Sequence, residues 1–248
     1  MMKRALLFAA LACLVGLAHA GEVQVAVAAN FAGPLARIGE SFSAATGHKL
    51  LVSSGATGKF YAQIRAGAPF ELLLAADDET PRKLIAEGHA LAGSNFTYAI
   101  GKLVLWSARP GWVDDDGQVL AGKAYTHLAL TNPKTAPYGA AALEVLKARG
   151  LLDSVTPKLV TAESLSQTYQ FVVTGNAELG FVALSQVAVP GQPVQGSYWL
   201  VPSALYREIR QEAVLLKSGE KNPAARALLD YLKSPTARAL IEAHGYGH

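Results

Sequence analysis

Hydrophobic and polar positions alternate along this chain in blocks that switch between strand and helix periods. Glu22 to Ala28 (EVQVAVA) reads as a buried strand that runs into Ala29-Asn30-Phe31. Gly33-Pro34 then starts a helix with Leu35, Ile38 and Phe42 on one face, and Thr46-Gly47-His48 stops it. A second apolar run, Leu50-Leu51-Val52, ends in Ser53-Ser54-Gly55. After it, Ala56-Thr57-Gly58 lead into a segment with Phe60, Ile64 and Ala68 at helical spacing. Phe70 to Ala75 is continuously apolar, as in a parallel strand covered on both faces, and Asp77-Asp78-Glu79-Thr80-Pro81 begins the next helix. Strand and helix alternate through short links, which predicts an α/β chain with a mostly parallel sheet.

The rhythm breaks at Phe96 to Trp106, a long apolar segment with no helix before it, followed by a Gly-, Asp- and Pro-rich loop from Arg109 to Gly122. It resumes with a strand over His127 to Thr131, a helix from Tyr138 to Arg149 and a short strand at Leu159-Val160. A helix from Ser166 to Thr174 and a strand from Leu179 to Leu184 follow. Tyr206 to Lys217 is a second long extended stretch, and helices over Asn222–Lys233 and Pro235–His244 close the chain. Two extended connections bracketing a central α/β unit predict two lobes. One takes residues 21–98 and 207–248, the other 99–206, each a mostly parallel sheet flanked by helices with a ligand cleft between them.

Composition adds little to this picture except at the N-terminus. The chain has 248 residues, 51% hydrophobic and 17% charged, enough for an ample core in one or two domains. Lys3 and Arg4, the apolar stretch Ala5 to Leu17, and Ala18-His19-Ala20 have the layout of a secretory signal peptide, residues 1–20. The apolar stretch is short for a membrane anchor, and Ala10-Leu11-Ala12 is a poor lipobox for lipid attachment at Cys13. Export to the periplasm removes the sole cysteine, so the mature chain from Gly21 has neither disulfide nor thiol chemistry. It also removes Lys3 and Arg4 from a total of 22 Lys and Arg, which brings the net charge from +3 to about +1 against 19 acidic residues. That balance gives no nucleic-acid surface.

Four stretches lie where strands end and helices begin: Ala28-Ala29-Asn30, Ser53 to Gly58, Thr131 to Gly139 and Ala162 to Gln167. Two fall in each predicted lobe, and each sets small or polar residues at a helix start. Unpaired N–H groups and the positive end of the helix dipole favour an anion there. The same stretches also fit ordinary helix caps, with Thr57 as an N-cap. An exported hydrolase is the competing class, but the chain has no Gly-x-Ser-x-Gly elbow. Its six histidines are scattered without metal-ligand spacing. Gly55 to Phe60 is shorter than a nucleotide P-loop and puts Phe60 where the Mg²⁺-binding hydroxyl belongs. Asp114 to Gly117 lacks the alternating acids of a calcium loop, and no adjacent tyrosine pair suggests iron binding. Tyr98, Trp106, Phe171, Phe181 and Trp199 read as core.

Taken together, the motifs SSGATGKFYAQI, GAPFELLLAAD, YAIGKLVLWS, TNPKTAPYG and LGFVALSQV, in this order over essentially the whole mature chain, resemble the periplasmic molybdate-binding proteins of bacterial ABC transporters. The resemblance implies a type II periplasmic binding protein fold that closes on molybdate or tungstate by hydrogen bonding and delivers it to a membrane permease. It implies no cofactor, no direct metal-ion ligands and a monomer. By motif, the ligand contacts would be Asn30, Thr57 and the backbone N–H groups of Tyr138 and Leu165, with Ala29, Ser54 and Gly58 as secondary candidates. Thr57 stands where relatives commonly have Ser, Ala29 lacks a hydroxyl that some show, and Ala183 stands where many carry Tyr. A donor-only site suits a fully ionised anion, whereas hydrogen phosphate needs an acceptor for its proton. Sulfate also fits donors alone and remains an alternative.

Overall fold

The computed structural model describes residues 20–247. The expected signal peptide and Cys13 therefore lie outside the described residues, apart from Ala20.

In chain order, the first unit runs β1 (Glu22–Ala28), α1 (Ala32–Thr46), β2 (Lys49–Gly55), α2 (Thr57–Arg65), β3 (Leu72–Leu74), α3 (Glu79–Ala86) and β4 (Phe96–Gly101). The second runs β5 (Leu103–Ser107), β6 (Leu128–Thr131), α4 (Pro137–Ala148), α5 (Leu152–Val155) and β7 (Leu159–Ala162). It continues through α6 (Leu165–Val173), β8 (Leu179–Ala183), α7 (Leu184–Val187) and β9 (Ser197–Leu200). The chain then returns to the first unit with β10 (Ile209–Leu215), α8 (Pro223–Tyr231) and α9 (Pro235–Ala243).

Two five-stranded sheets result, ordered β2-β1-β3-β10-β4 and β7-β6-β8-β5-β9. In the first, β2, β1 and β3 pair in parallel, while β10 runs antiparallel to both β3 and β4. The second repeats the pattern, with β5 antiparallel to β8 and β9. Each sheet thus has four strands in one direction and one against it. The opposed strand is in each case the one that has just crossed from the other sheet. The crossings lie at Lys102, between β4 and β5, and over residues 201–208, between β9 and β10. The first sheet includes Ile100 and Gly101, paired with Arg210 and Ile209, so it extends three residues past the division at Tyr98 expected from sequence.

Period-two alternation divides each sheet between two cores. Val23, Val25, Val27, Leu72, Leu74 and Leu215 pack on Leu35, Ile38 and Phe42 of α1 and on Leu228 and Ile241 of α8 and α9. The opposite face places Ala26, Leu73 and Val214 against Phe60, Ile64 and Leu84 of α2 and α3. In the second sheet Leu103, Leu105, Leu130 and Phe181 meet α4 through Ala142, Val145 and Leu146. Val104, Trp106 and Val182 meet Val172 of α6. Burying both faces is what makes these strands read as apolar runs. The carboxyl ends of β1 and β2 then face those of β6 and β7 across the gap between sheets, where open α/β sheets bind ligands.

Candidate functional site

Three helices and one short turn begin at those strand ends. A 3-10 turn over Ala29–Phe31 follows β1, α2 follows β2, α4 follows β6, and α6 follows β7. Their starts converge on one small cavity lined by Ala29, Asn30, Thr57, Tyr138 and Leu165, with Ala76, Ala136 and Pro137 between them. The cavity measures about 10 Å³, against the several hundred Å³ of a pocket for an organic ligand. On that scale it is close to the space one water fills, far below what a sugar or an amino acid needs. No charged side chain lines it. Beyond Ala76, Ala136 and Pro137 it opens into a wider outer cleft of about 440 Å³, edged by acids and bases in near balance, among them Asp78, Glu79, Glu144, Lys83, Lys134 and Arg207.

The donors around the cavity have a common origin. Leu165 is the first residue of α6, behind Ser164, whose Oγ caps the Gln167 N–H at 3.3 Å. Tyr138 is the second residue of α4, after Pro137. N–H groups in a first helical turn have no acceptor within the helix, and Tyr138 and Leu165 carry theirs at helix starts that line the cavity. Gln186 fixes the α6 start, donating from Nε2 to the Leu165 carbonyl at 3.2 Å while its Oε1 accepts the Ala183 N–H at 3.1 Å.

Thr57 is the first residue of α2. Its N-cap is Ala56, which has no side-chain cap, so Thr57 is not the capping residue that the sequence also allowed. Its Oγ1 accepts the Ala76 N–H at 3.0 Å. With a lone pair so occupied, the hydroxyl proton is directed elsewhere and is available to an anion. Thr57→Ala is therefore expected to weaken anion binding by about 1–3 kcal/mol, the cost of a lost hydrogen bond to a charged group together with an orphaned Ala76 N–H. Thr57→Ser should restore it. Calorimetric titration of the two variants checks both outcomes, and wild-type affinity in Thr57→Ala would remove Thr57 from the site.

The side chain of Asn30 is turned into the protein. Its Nδ2 donates to Gln211 Oε1 at 2.9 Å and to the Tyr246 hydroxyl at 3.0 Å, so both amide protons are engaged inside the protein. What Asn30 and Ala29 can offer the cavity is backbone N–H from the 3-10 turn. Of the secondary candidates, Ser54 is exposed on the edge strand β2 and lies outside the cavity lining. Gly58 also lies outside it: its N–H donates to the Thr135 carbonyl across the gap at 2.9 Å. A Cβ at Gly58 would lie 3.0 Å from the Thr135 Cα, so this approach of the lobes favours glycine. Beside it, Lys59 pairs with Glu163 at 2.7 Å across the same lip, both side chains well exposed. An ion pair in that setting contributes little. The lobes are therefore in contact, and the cleft is shut.

Burial, rather than charge, sets the electrostatics. Tyr98 and Tyr138 are pushed well above the ordinary phenol range by desolvation, and Tyr246 is raised to about 12 for the same reason. Asp77, next to Ala76, is raised by burial against the opposing pull of hydrogen bonds from Thr80. Its carboxylate accepts the Thr80 N–H at 2.7 Å and so serves the start of α3. Among the described residues no group of three or more His, Cys, Asp or Glu could hold a metal ion. The Asp114 carboxylate accepts N–H groups of its own loop, from Asp116, Gln118 and Val119.

Sequence and structure comparisons agree with one another. The family model described as "Bacterial extracellular solute-binding protein" matches residues 23–247. The molybdate-binding protein ModA of Azotobacter vinelandii is 60% identical over 230 residues, 93% of this chain and 91% of the relative. ModA of Rhodobacter capsulatus is 52% identical over 240 residues, 96% of this chain and 94% of the relative. The solved structure of the Azotobacter vinelandii periplasmic molybdate-binding protein superposes with a TM-score of 0.89 at 45% identity, covering 91% of this chain and 99% of that one.

Proposed function

The chain belongs to the bacterial extracellular solute-binding protein family, beside its molybdate-binding members, and from that premise we propose that its interlobe cavity holds molybdate or tungstate through Thr57, Asn30, Tyr138 and Leu165. It is the substrate-binding component of an ABC importer and not an enzyme. Molybdate is its transported ligand rather than a cofactor, and a membrane permease is its partner. The observation that carries the site assignment is a cavity of about 10 Å³ lined by helix starts from both lobes and by no charged side chain.

An MO₄²⁻ anion presents acceptors only, and the donors this lining can offer it are one hydroxyl proton and a set of backbone N–H groups, none of them charged. Such dipoles are fixed before the ligand arrives and act in surroundings less polarisable than water, which makes neutral donors effective. The absence of a carboxylate disfavours hydrogen phosphate, whose remaining proton would have no acceptor. Sulfate presents acceptors only as well, so any preference for the larger molybdate must come from how well each anion reaches donors on both sides of the cavity. Ala29, through its N–H, is a further contact, while Gly58 and Ser54 act at the lip and outside it. Residues 1–20 direct export and are removed, and the mature protein works in the periplasm as a monomer with no nucleic-acid partner. Closure is a population shift driven by the ligand's higher affinity for the shut state.

Titration with molybdate across pH tests this reading. One site per chain is expected, with an affinity unchanged from about pH 6 to about pH 9, because no donor in the lining titrates there. The buried tyrosines have raised pKa values, so their contribution to stability is complete below the unfolded phenol value of about 10 and is lost as pH climbs through the folded values. For Tyr246 that folded value is about 12. Loss of binding should therefore begin only in strong alkali. An affinity that falls through the histidine range would place a titrating side chain in the site.

A further inference from the structure

A buried polar chain behind the cavity joins the lobes; Asn30 and Tyr138 in it also line the cavity, while Gln211, Tyr98 and Ser185 do not. Its centre is Gln211, fully buried on β10 beside a register shift between Gln211 and Glu212. A bulge of this kind turns a side chain away from the regular pleat. Gln211 Oε1 accepts from Asn30 Nδ2 at 2.9 Å and from the Tyr98 hydroxyl at 2.9 Å, both in its own lobe. Its Nε2 donates to the Tyr138 hydroxyl at 3.2 Å, in the opposite lobe. A second crossing lies next to it: Ser185 Oγ, at the start of α7, donates to the Asn30 carbonyl at 2.9 Å.

We propose that Gln211 is a positioning residue that couples closure of the cleft to anion binding. It holds the Asn30 turn of one lobe and receives the Tyr138 hydroxyl of the other, so the two segments that present N–H groups to the anion are tied together only when the lobes are shut. This rests on the anion-binding reading above and adds the element that senses closure. When the lobes part, Gln211 keeps Asn30 and Tyr98 but gives up Tyr138. Because buried polar groups are costly to leave unpaired, the bond across the gap makes a partly shut cleft less favourable than either end state.

Two variants separate this role from a structural one. Tyr138→Phe removes the hydroxyl and leaves the Tyr138 N–H in place. Gln211→Met keeps the length of the side chain and removes its hydrogen bonds. Molybdate dissociation by stopped flow, affinity by calorimetry, and the radius of gyration at saturating molybdate are measured for each variant and for the pair together. Both single variants are expected to release molybdate about five to ten times faster, with a matching rise in Kd. The double variant should be no worse than the more affected single one, because both remove the same bond. Ligand-free thermal stability should fall in Gln211→Met and stay near wild type in Tyr138→Phe. Wild-type release rates in both variants, or effects that multiply in the double variant, overturn the coupling while leaving the anion site intact. Failure of the wild-type protein to bind molybdate overturns the functional reading, and the coupling with it.

Discussion

Leu165→Pro is expected to weaken molybdate binding by about 1.5–3 kcal/mol, roughly ten- to more than a hundredfold, whereas Leu165→Ala should bind nearly as the wild type. The contrast isolates one backbone N–H. Leu165 opens α6, and the first helical position is where proline is best tolerated, since the missing N–H has no partner in the helix and the fixed φ suits it. The residue before it, Ser164, is already extended at φ −149° and ψ 160°, as a following proline requires. Proline should therefore spare the helix and delete only the donor. Both substitutions shorten a side chain that is 4% exposed, so lost packing is common to the two and cancels in the comparison. Calorimetric titration of both proteins below their unfolding temperatures decides it: equal affinities would mean that the Leu165 N–H does not face the anion.

Gly101→Ala should have a comparable effect for a different reason. Gly101 ends β4 immediately before the first crossing between lobes. It is not among the glycines with positive φ, so its backbone accepts alanine. The main obstacle is on the other side of the cleft: an added Cβ would collide with the Tyr138 hydroxyl oxygen and lie 3.0 Å from its Cζ, with Gln211 Nε2 of the same lobe also close at 2.9 Å. The collision with Tyr138 exists only when the lobes are shut, whereas the one with Gln211, in the same lobe, is present in either state. Overpacking of this kind costs about 1–3 kcal/mol, and the larger share, against Tyr138, falls on the closed state. Solution scattering at saturating molybdate should show a larger radius of gyration than wild type, with affinity reduced about tenfold or more. Tyr138→Phe in the Gly101→Ala background should recover part of the closure by removing the nearest atom. A compact, wild-type-like radius in Gly101→Ala would show that Tyr138 can move aside and that this contact does not govern closure.

Local periodicity accounts for most of what could be read from sequence. β1 runs from Glu22 to Ala28 as its apolar pattern indicates, and the helices after it start within a few residues of their expected positions. The convergence of Asn30, Thr57, Tyr138 and Leu165 on one cavity was foreshadowed because each sits at a strand-to-helix junction, and in open α/β sheets such junctions face the same side. Features that depend on contacts between distant segments were hidden. Nothing near Asn30 in sequence shows that Gln211 and Tyr246, 181 and 216 residues away, engage its amide. Gln211 has no local signal at all, since it is one polar residue within a long extended stretch. Tyr98 reads correctly as core, yet its hydroxyl bonds to Gln211 Oε1 and the Ala75 carbonyl were beyond the reach of the pattern. The reversed strand in each sheet was likewise concealed, because an apolar run does not record its direction.

Thermal unfolding of the mature protein with molybdate, tungstate, sulfate or phosphate, each added alone, tests the central claim most directly. A ligand at about a hundred times its Kd adds roughly 2.7 kcal/mol to the stability of the state that binds it, which raises Tm measurably. Molybdate and tungstate should each produce that rise, with sulfate and phosphate leaving the transition near its ligand-free position. An equal rise with sulfate would keep the donor-lined oxyanion trap and remove its selectivity for molybdate. No rise with any of the four anions would contradict the assignment of this cleft to an oxyanion altogether.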